Sequence, residues 1–300
     1  MNNLTGLQGE SEARRYASGV LHPTRFSEAI NRYLGAAGYP DPCAIRAGIV
    51  PAGPDQPVTG LVVAGVDDTP ISYVAADHAA IEASLHGWGL RLVTVRRDAA
   101  DEAGAALLRR LIDRVHASAP EAQVTGRIAV GSDTAHTLIE QAGDADLLVV
   151  GHHHSAVATA IGLSVAGRVL RHHTHPVLVI RVPGWPAEFG TRPLLVAVDG
   201  SPASRKTVQF ALDEARARGC EVTVLHLVGA GTSLAARHEI LGGVPVHHRV
   251  LAADPVTALV EASETAAAMV IAQHGLSAPL LEAAARALPQ QARCPVFLVS

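Results

Sequence analysis

Residues Asp144–Arg181 read DADLLVVGHHHSAVATAIGLSVAGRVLRHHTHPVLVIR, and a weaker copy, AAAMVIAQHGLSAPLLEAAARALPQQARCPVFLV, closes the chain at Ala266–Val299. Each copy predicts an apolar strand, a turn, an amphipathic helix and a second apolar strand. One βαβ unit written twice predicts a tandem repeat of a single α/β domain. In such a domain the turn between strand and helix is where a phosphate is held. That turn reads GHHH in the first copy and AQHG in the second.

Working outward, regular alternation begins at Val58. Strands are expected at 60–67, 90–95, 124–130, 147–150 and 176–181. Helices are expected at 70–86, 101–118, 134–142 and 164–172, with Pro70 in the first turn of its helix. Strict alternation predicts a parallel sheet with right-handed crossovers. VPGWPAEFGTR (182–192) reads as a linker, after which the pattern restarts. Strands follow at 194–199, 221–227, 244–251, 269–272 and 295–299, and helices at 202–218, 255–267 and 278–291. Asp199 follows Asp67 by 132 residues, whereas Pro295 follows Pro176 by 119. The second copy is therefore shorter, mostly between its second and third strands. There a full helix is reduced to TSLAARHEI, read as a shortened helix that thins one face.

The expected organisation is an extension over 1–55, a first domain over 56–184, a linker over 185–192 and a second domain over 193–300. The extension holds one helical pattern, about Thr24 to Leu34, with Thr24 as its N-cap. The Pro- and Gly-rich run that follows reads as an irregular linker. With so few apolar residues, the extension is expected to attach loosely, with the packing of its one helix on a neighbour as the alternative.

Composition narrows the function. Hydrophobic residues make up 48% but aromatics only 3%, the palette of buried parallel strands under Ala-rich helices. The net charge of −4 gives no basic excess for a nucleic-acid backbone, so no nucleic-acid partner is expected. No apolar run reaches the roughly 18 residues of a membrane span, and the N-terminus lacks an apolar signal core, so a cytoplasmic protein without a membrane partner is expected. Cys43, Cys220 and Cys294 are widely spaced and odd in number, which argues for small buried hydrophobes rather than a disulfide framework or zinc knuckle.

Ligands of an open doubly wound sheet bind beyond the carboxyl ends of the strands, where strand order reverses. Three elements meet there in each copy. The end of the first strand carries Asp67 and Asp68, or Asp199, Gly200 and Ser201. The turn after the fourth strand begins at Gly151 or Ala272. The following helix begins near Ser164, or near Glu282. A terminal carboxylate suits a ribose hydroxyl, and glycine turns and helix N-termini suit phosphate.

VAVDGSPASRKTVQFALDEARARGCEVTVLHL and SVAGRVLRHHTHPVLVIR resemble the universal stress protein family in its tandem bacterial form. The resemblance covers about 58–181 and 193–299. It implies two tandem doubly wound five-stranded parallel sheets, Rossmann-like and similar to the adenine nucleotide alpha hydrolases, each ordered 3-2-1-4-5. It also implies pairing through the fifth strands, so PVLVIR and PVFLV are expected to form an internal pseudo-dimer, with a homodimer and an unknown protein partner as further associations.

ATP-binding members of that family carry G-x-x-G, a nine-residue spacer, then G-S or G-T. Gly151 keeps the first glycine, but His154 replaces the second and the third aligns at Leu163, followed by Ser164. In the second copy Ala272 replaces the first, Gly275 keeps the second, and Glu282 falls near the third. The adenine-contacting position maps to Val95 and Leu227. The cofactor-binding candidates are therefore Asp67, Val95, Gly151, His154, Ser164, Asp199, Gly200, Leu227 and Gly275, for ATP or another adenine nucleotide. A glutamate near the phosphate position is repulsive, and Asp68 adds an acid where the family usually has glycine.

Sixteen histidines give the chain a pH-dependent charge. His152–His154 sit in the turn, where an imidazolium could pair with an anion. His172, His173 and His175 lie at the far end of the next helix, about 15 Å away, so the clusters are not expected to share an ion. His172 and His173 read as helix-dipole partners, and His247 and His248 as structural residues on opposite strand faces. No metal is expected, and neither a nucleophile elbow nor a Walker motif occurs. The expected function is a regulatory or stress-adaptation role with a degraded nucleotide site and no dedicated catalysis. The alternative is an adenine-nucleotide sensor using the first domain.

Overall fold

The computed structural model of the chain describes residues 24–36, 58–152, 164–181, 189–227, 237–251, 254–276 and 279–300. An N-terminal helix, α1 (Arg25–Ala36), precedes the first repeat. That repeat runs β1 (Leu61–Gly65), α2 (Pro70–His86), β2 (Gly89–Arg96), α3 (Glu102–Ser118), β3 (Val124–Val130), α4 (Thr134–Gln141), β4 (Leu147–Gly151), α5 (Val165–His172) and β5 (Val177–Ile180). A 3-10 turn at Phe189–Thr191 leads into the second repeat. It runs β6 (Leu194–Val198), α6 (Pro202–Arg218), β7 (Val222–Leu227), β8 (Arg237–Leu241), β9 (Val244–Leu251), α7 (Pro255–Ala262), β10 (Ala268–Ala272), α8 (Pro279–Gln291) and β11 (Val296–Val299).

All strands join one 11-stranded sheet, ordered β3-β2-β1-β4-β5-β11-β10-β6-β7-β9-β8. Each repeat has the expected 3-2-1-4-5 order. The repeats meet antiparallel at their fifth strands, where Val296, Phe297 and Leu298 pair with Val179, Leu178 and Val177. Every residue of β5 and β11 is buried. This pairing removes two apolar edges that would otherwise template association. The outer edges are more polar: β3 exposes Thr125 and Arg127, and β8 exposes Arg237 and His238.

The second repeat contains a strand that the sequence reading lacks. Arg237–Leu241, taken there as part of a helical remnant, pairs antiparallel with β9 through the turn Gly242–Gly243. Both glycines have positive φ, 55° and 84°, the conformation a tight hairpin requires.

Helix α1 also departs from expectation. Thr24 caps it, accepting from Ser27 N at 3.0 Å, while its hydroxyl donates to Gly190 O at 2.5 Å. The helix is nevertheless not loosely attached: Phe26, Ala29, Ile30 and Tyr33 are buried against α2, α3 and α6. The approach is close enough that a Cβ on Gly190 would lie 2.5 Å from Ser27 Cα. Four apolar residues on one face suffice because both repeats supply the surface that covers them. The rest of the extension, including Cys43, lies outside the described residues.

The repeats also meet through α2 and α6. These helices occupy equivalent positions, and both end on a left-handed glycine, Gly87 (φ 67°) and Gly219 (φ 72°). Between them Arg218 is wholly buried. It donates to Glu214 Oε1 at 2.6 Å and to Glu82 Oε1 across the repeat boundary. Its guanidinium carbon lies 4.1 Å from the Phe26 ring centroid and 5.5 Å from that of Phe297.

Candidate functional site

The registers assemble the strand-end site in each repeat. Gly65 is level with Val93 and Val150, so Asp67, Val95 and His152 emerge side by side at the carboxyl ends of β1, β2 and β4. In the second repeat Val198 is level with His226, and Val196 with Val270, which sets Asp199 beside Leu227 and Gln273. His152 N donates to Ile180 O and Gln273 N to Val299 O, both at 2.7 Å, so the two turns leave the sheet at the same point.

The first-strand carboxylates organise their own loops. Asp67 Oδ1 accepts from Thr69 N at 3.1 Å, from Ser72 Oγ at 2.6 Å and from Thr69 Oγ1. Asp199 Oδ1 accepts from Ser201 N at 3.0 Å and from Ser204 Oγ at 2.7 Å. In return each serine hydroxyl accepts the aspartate's backbone N–H at 3.0 Å. The shared pattern D-x-[ST]-P-x-S writes this into the sequence. Its proline opens the helix while the Asp and Ser side chains satisfy the loop backbone.

The two loops differ at the next residue. Gly200 has φ 79° with open space where a Cβ would stand. Its counterpart Asp68 accepts from Arg110 Nη2 at 3.0 Å and from Tyr73 Oη at 3.2 Å, adding an exposed carboxylate to the first loop.

The remaining candidates are local in their roles. A Cβ on Gly151 would stand 3.1 Å from Ile71 Cγ2, so the close packing of α2 accounts for this glycine. Ser164 caps α5, accepting from Gly167 N at 3.1 Å. Gly275 has φ 74° and lies against Ala203. Val95 and Leu227 are partly buried strand residues packed on the core. Glu282 lies in the first turn of α8, where an acid favours the helix dipole and opposes a phosphate. His153 and His154 lie outside the described residues, and His152 is buried.

The other histidines sort by burial. His173, read from sequence as a dipole partner, is turned inward: burial lowers its pKa, and its Nδ1 accepts from His175 N at 3.2 Å. A neutral ring contributes no favourable charge to the helix end. His248 bonds His226 at 2.8 Å and Glu239 at 2.9 Å, while neighbouring His247 lies 3.4 Å from Glu221. Cys220 and Cys294 are buried, and burial pushes their thiols up to about 11 and about 12, outside the reactive range.

Sequence reading missed the cluster at the repeat boundary. Glu82, His86, Glu214 and Arg218 are far apart in the chain, and no motif links them. The signal lay in the repeat itself. The 132-residue offset that relates Asp67 to Asp199 also relates Glu82 to Glu214 and His86 to Arg218. Charged residues on the inner face of an otherwise alanine-rich helix, present in both copies, mark a buried contact. Burial raises the Glu82 carboxyl well above its usual range, against the opposing pull of Arg218. Glu214 is held below that range because Arg218 and His86 outweigh its burial.

Comparison with known proteins follows from this geometry. A model of the universal stress protein family matches residues 60–181 and 190–244. Two universal stress proteins of Mycobacterium tuberculosis H37Rv are 29% identical over 195 residues and 31% identical over 193 residues. Each match covers 55% of this chain and 62% of the relative, so the chain spans less than two thirds of those proteins' length. A universal stress protein from Archaeoglobus fulgidus DSM 4304 superposes on 81% of the chain, covering 97% of its own, with a TM-score of 0.58 at 13% identity; this likeness concerns the fold alone. No helix among the described residues is long and apolar enough to cross a membrane.

Proposed function

The chain belongs to the universal stress protein family, and from that premise we infer that it is a regulatory or stress-adaptation protein whose nucleotide sites are weak in both repeats. The observation that carries this reading is the acidic strand end of the first repeat. Asp67 and Asp68 stand together there, and Asp68 is tied to Tyr73 and to Arg110 of α3. Polyphosphate brought to this rim meets two negative charges. The second repeat lacks the extra acid but carries Glu282 in the helix turn that would face a phosphate. Its function then rests on protein surfaces, with an unidentified protein as partner.

A second reading is favoured by one specific observation. The hydrogen bonds that the Asp67 side chain accepts within its loop go to Oδ1, and the residue is exposed. Oδ2 of a fixed, exposed carboxylate beside Val95 is placed to accept a ribose hydroxyl. An adenine nucleotide with few phosphates suits that arrangement better than ATP.

Calorimetric titration of the full chain with ATP, AMP and adenosine, with and without Mg²⁺, tests both. Dissociation constants of about 1 mM or weaker for all three, equivalent to no more than about 4 kcal/mol, are expected under the first reading. Micromolar ATP binding would overturn it. Binding of AMP or adenosine but not ATP, lost in Asp67→Asn, would establish the second. Under either reading Asp68→Gly should strengthen ATP binding by removing the added charge.

A further inference from the structure

We propose that Glu82, His86 and Glu214 form a binding site for a divalent transition metal of the zinc type at the boundary between the repeats. Glu82, His86 and Glu214 each offer one ligand atom, and these atoms all lie within 4.8 Å of one another. Arg218 engages Oε1 of both carboxylates, and these bonds do not use their Oε2 atoms. Glu82 Oε2 is fully buried and accepts no hydrogen bond, while Glu214 Oε2 lies 2.9 Å from His86 Nε2. The arginine thus holds both carboxylates through Oε1, as outer partners orient metal-bound carboxylates.

The repeat explains why this pocket is one cation short. An arginine at both equivalent positions would give two guanidinium groups for two glutamates. This chain has Arg218 in one repeat and His86 in the other. An imidazole at the second position leaves one arginine for two buried glutamates. A metal ion would supply the missing positive charge and use the imidazole as a ligand. An oxygen–oxygen–nitrogen set suits zinc or its neighbours, whereas calcium and magnesium prefer oxygen alone. Tetrahedral zinc at about 2.0–2.2 Å needs neighbouring ligand atoms roughly 3.3–3.6 Å apart, so the side chains must adjust by about an ångström.

Entry is provided at the rim. The His86 side chain is 17% exposed, in contrast to Glu82 at 0% and Glu214 at 4%. His86 also stacks on Trp88, with ring centroids 4.3 Å apart. Trp88 is one of two tryptophans in the chain, so the site carries its own fluorescent reporter.

The test is zinc titration of the full, chelator-treated, tag-free protein carrying Trp185→Phe, read by Trp88 fluorescence and by metal content after dialysis. One equivalent of zinc and a saturable change in Trp88 emission are expected, with magnesium giving neither. His86→Gln and Glu82→Gln should each weaken zinc binding by about tenfold or more. Circular dichroism and the metal-free melting temperature establish that each variant is folded, and Glu82→Gln keeps the shape of the side chain. Absence of zinc uptake would overturn the proposal. So would uptake that survives both variants and disappears when His153 and His154 are replaced by Asn.

Discussion

His86 Nε2 lies 2.9 Å from Glu214 Oε2, joining residues 128 apart in sequence and belonging to different repeats. The two are not equivalents of each other. Glu214 is the copy of Glu82, and His86 is the copy of the position held by Arg218. A duplicated pair of helices thus meets across its pseudo-symmetry axis, with the symmetry broken at one basic residue. The boundary is held both by this polar cluster and by the apolar pairing of β5 with β11.

Removing Arg218 should be costly. It is the cation for a buried pair of carboxyls, and taking away one partner of such a cluster costs about 3–5 kcal/mol. Arg218→Met is expected to lose that much in urea denaturation at pH 7 with chelator present. Glu82→Gln should cost less than Arg218→Met, because burial favours the neutral form of the Glu82 carboxyl. Equal losses from the two variants would show instead that Glu82 is ionised.

Phe26→Ala tests the attachment of α1. The ring is wholly buried and packs on Arg218 and, at 5.8 Å between centroids, on Phe189. A loss of about 3–5 kcal/mol is expected, against less than about 0.5 kcal/mol for a surface position. A surface-sized loss would return α1 to the status of a loose extension.

Leu178→Ala tests the seam between the repeats. Leu178 is buried on β5 and pairs with Phe297 of β11. It should cost about 2–5 kcal/mol. If the seam couples the repeats, unfolding followed by Trp88 fluorescence and by circular dichroism coincides in the parent chain. The two probes should separate in the variant as the first repeat loses its brace.

His78 should make stability depend on pH. Burial, and then the positive charge of Arg218, lower its pKa from 6.5 to about 3. Between those values the unfolded chain binds more protons than the folded one. The contribution of a neutral His78 is therefore complete above about 6.5 and is lost as pH falls toward 3, at no more than about 1.4 kcal/mol per pH unit. Glu214, held low, is lost at the acid end of the same range, and Glu82, held high, opposes both. His78→Phe places in the first repeat the residue found at the equivalent Phe210. Its stability between pH 6 and 4 should fall less steeply than the parent's; an unchanged slope would exclude His78 as the source.

The fold was legible because its signals are local. Four-residue apolar runs such as LLVV, prolines opening helices at Pro70 and Pro202, and glycines closing them at Gly87 and Gly219 are short-range devices, and each occurs twice. The strand-end loops were legible for the same reason, since Asp67 and Ser72 bond within five residues. The hairpin at β8 was not. RHEIL carries no clean alternation, and its pairing with β9 depends on Gly242 and Gly243 taking positive φ. The depth of α1 was illegible too, because the surface that buries Phe26 is assembled from both repeats.

The sequence by itself determined the duplicated α/β architecture and most of its elements, because periodicity, caps and turn residues act over a few positions, and its family resemblance pointed to the pairing of the fifth strands. Only the tertiary structure decided that this pairing is antiparallel within one sheet and that β8 lies at that sheet's edge. It alone decided that Glu82, His86, Glu214 and Arg218 share a buried volume. Burial and proximity between distant helices set those charges, and neither is written in the spacing of a linear chain.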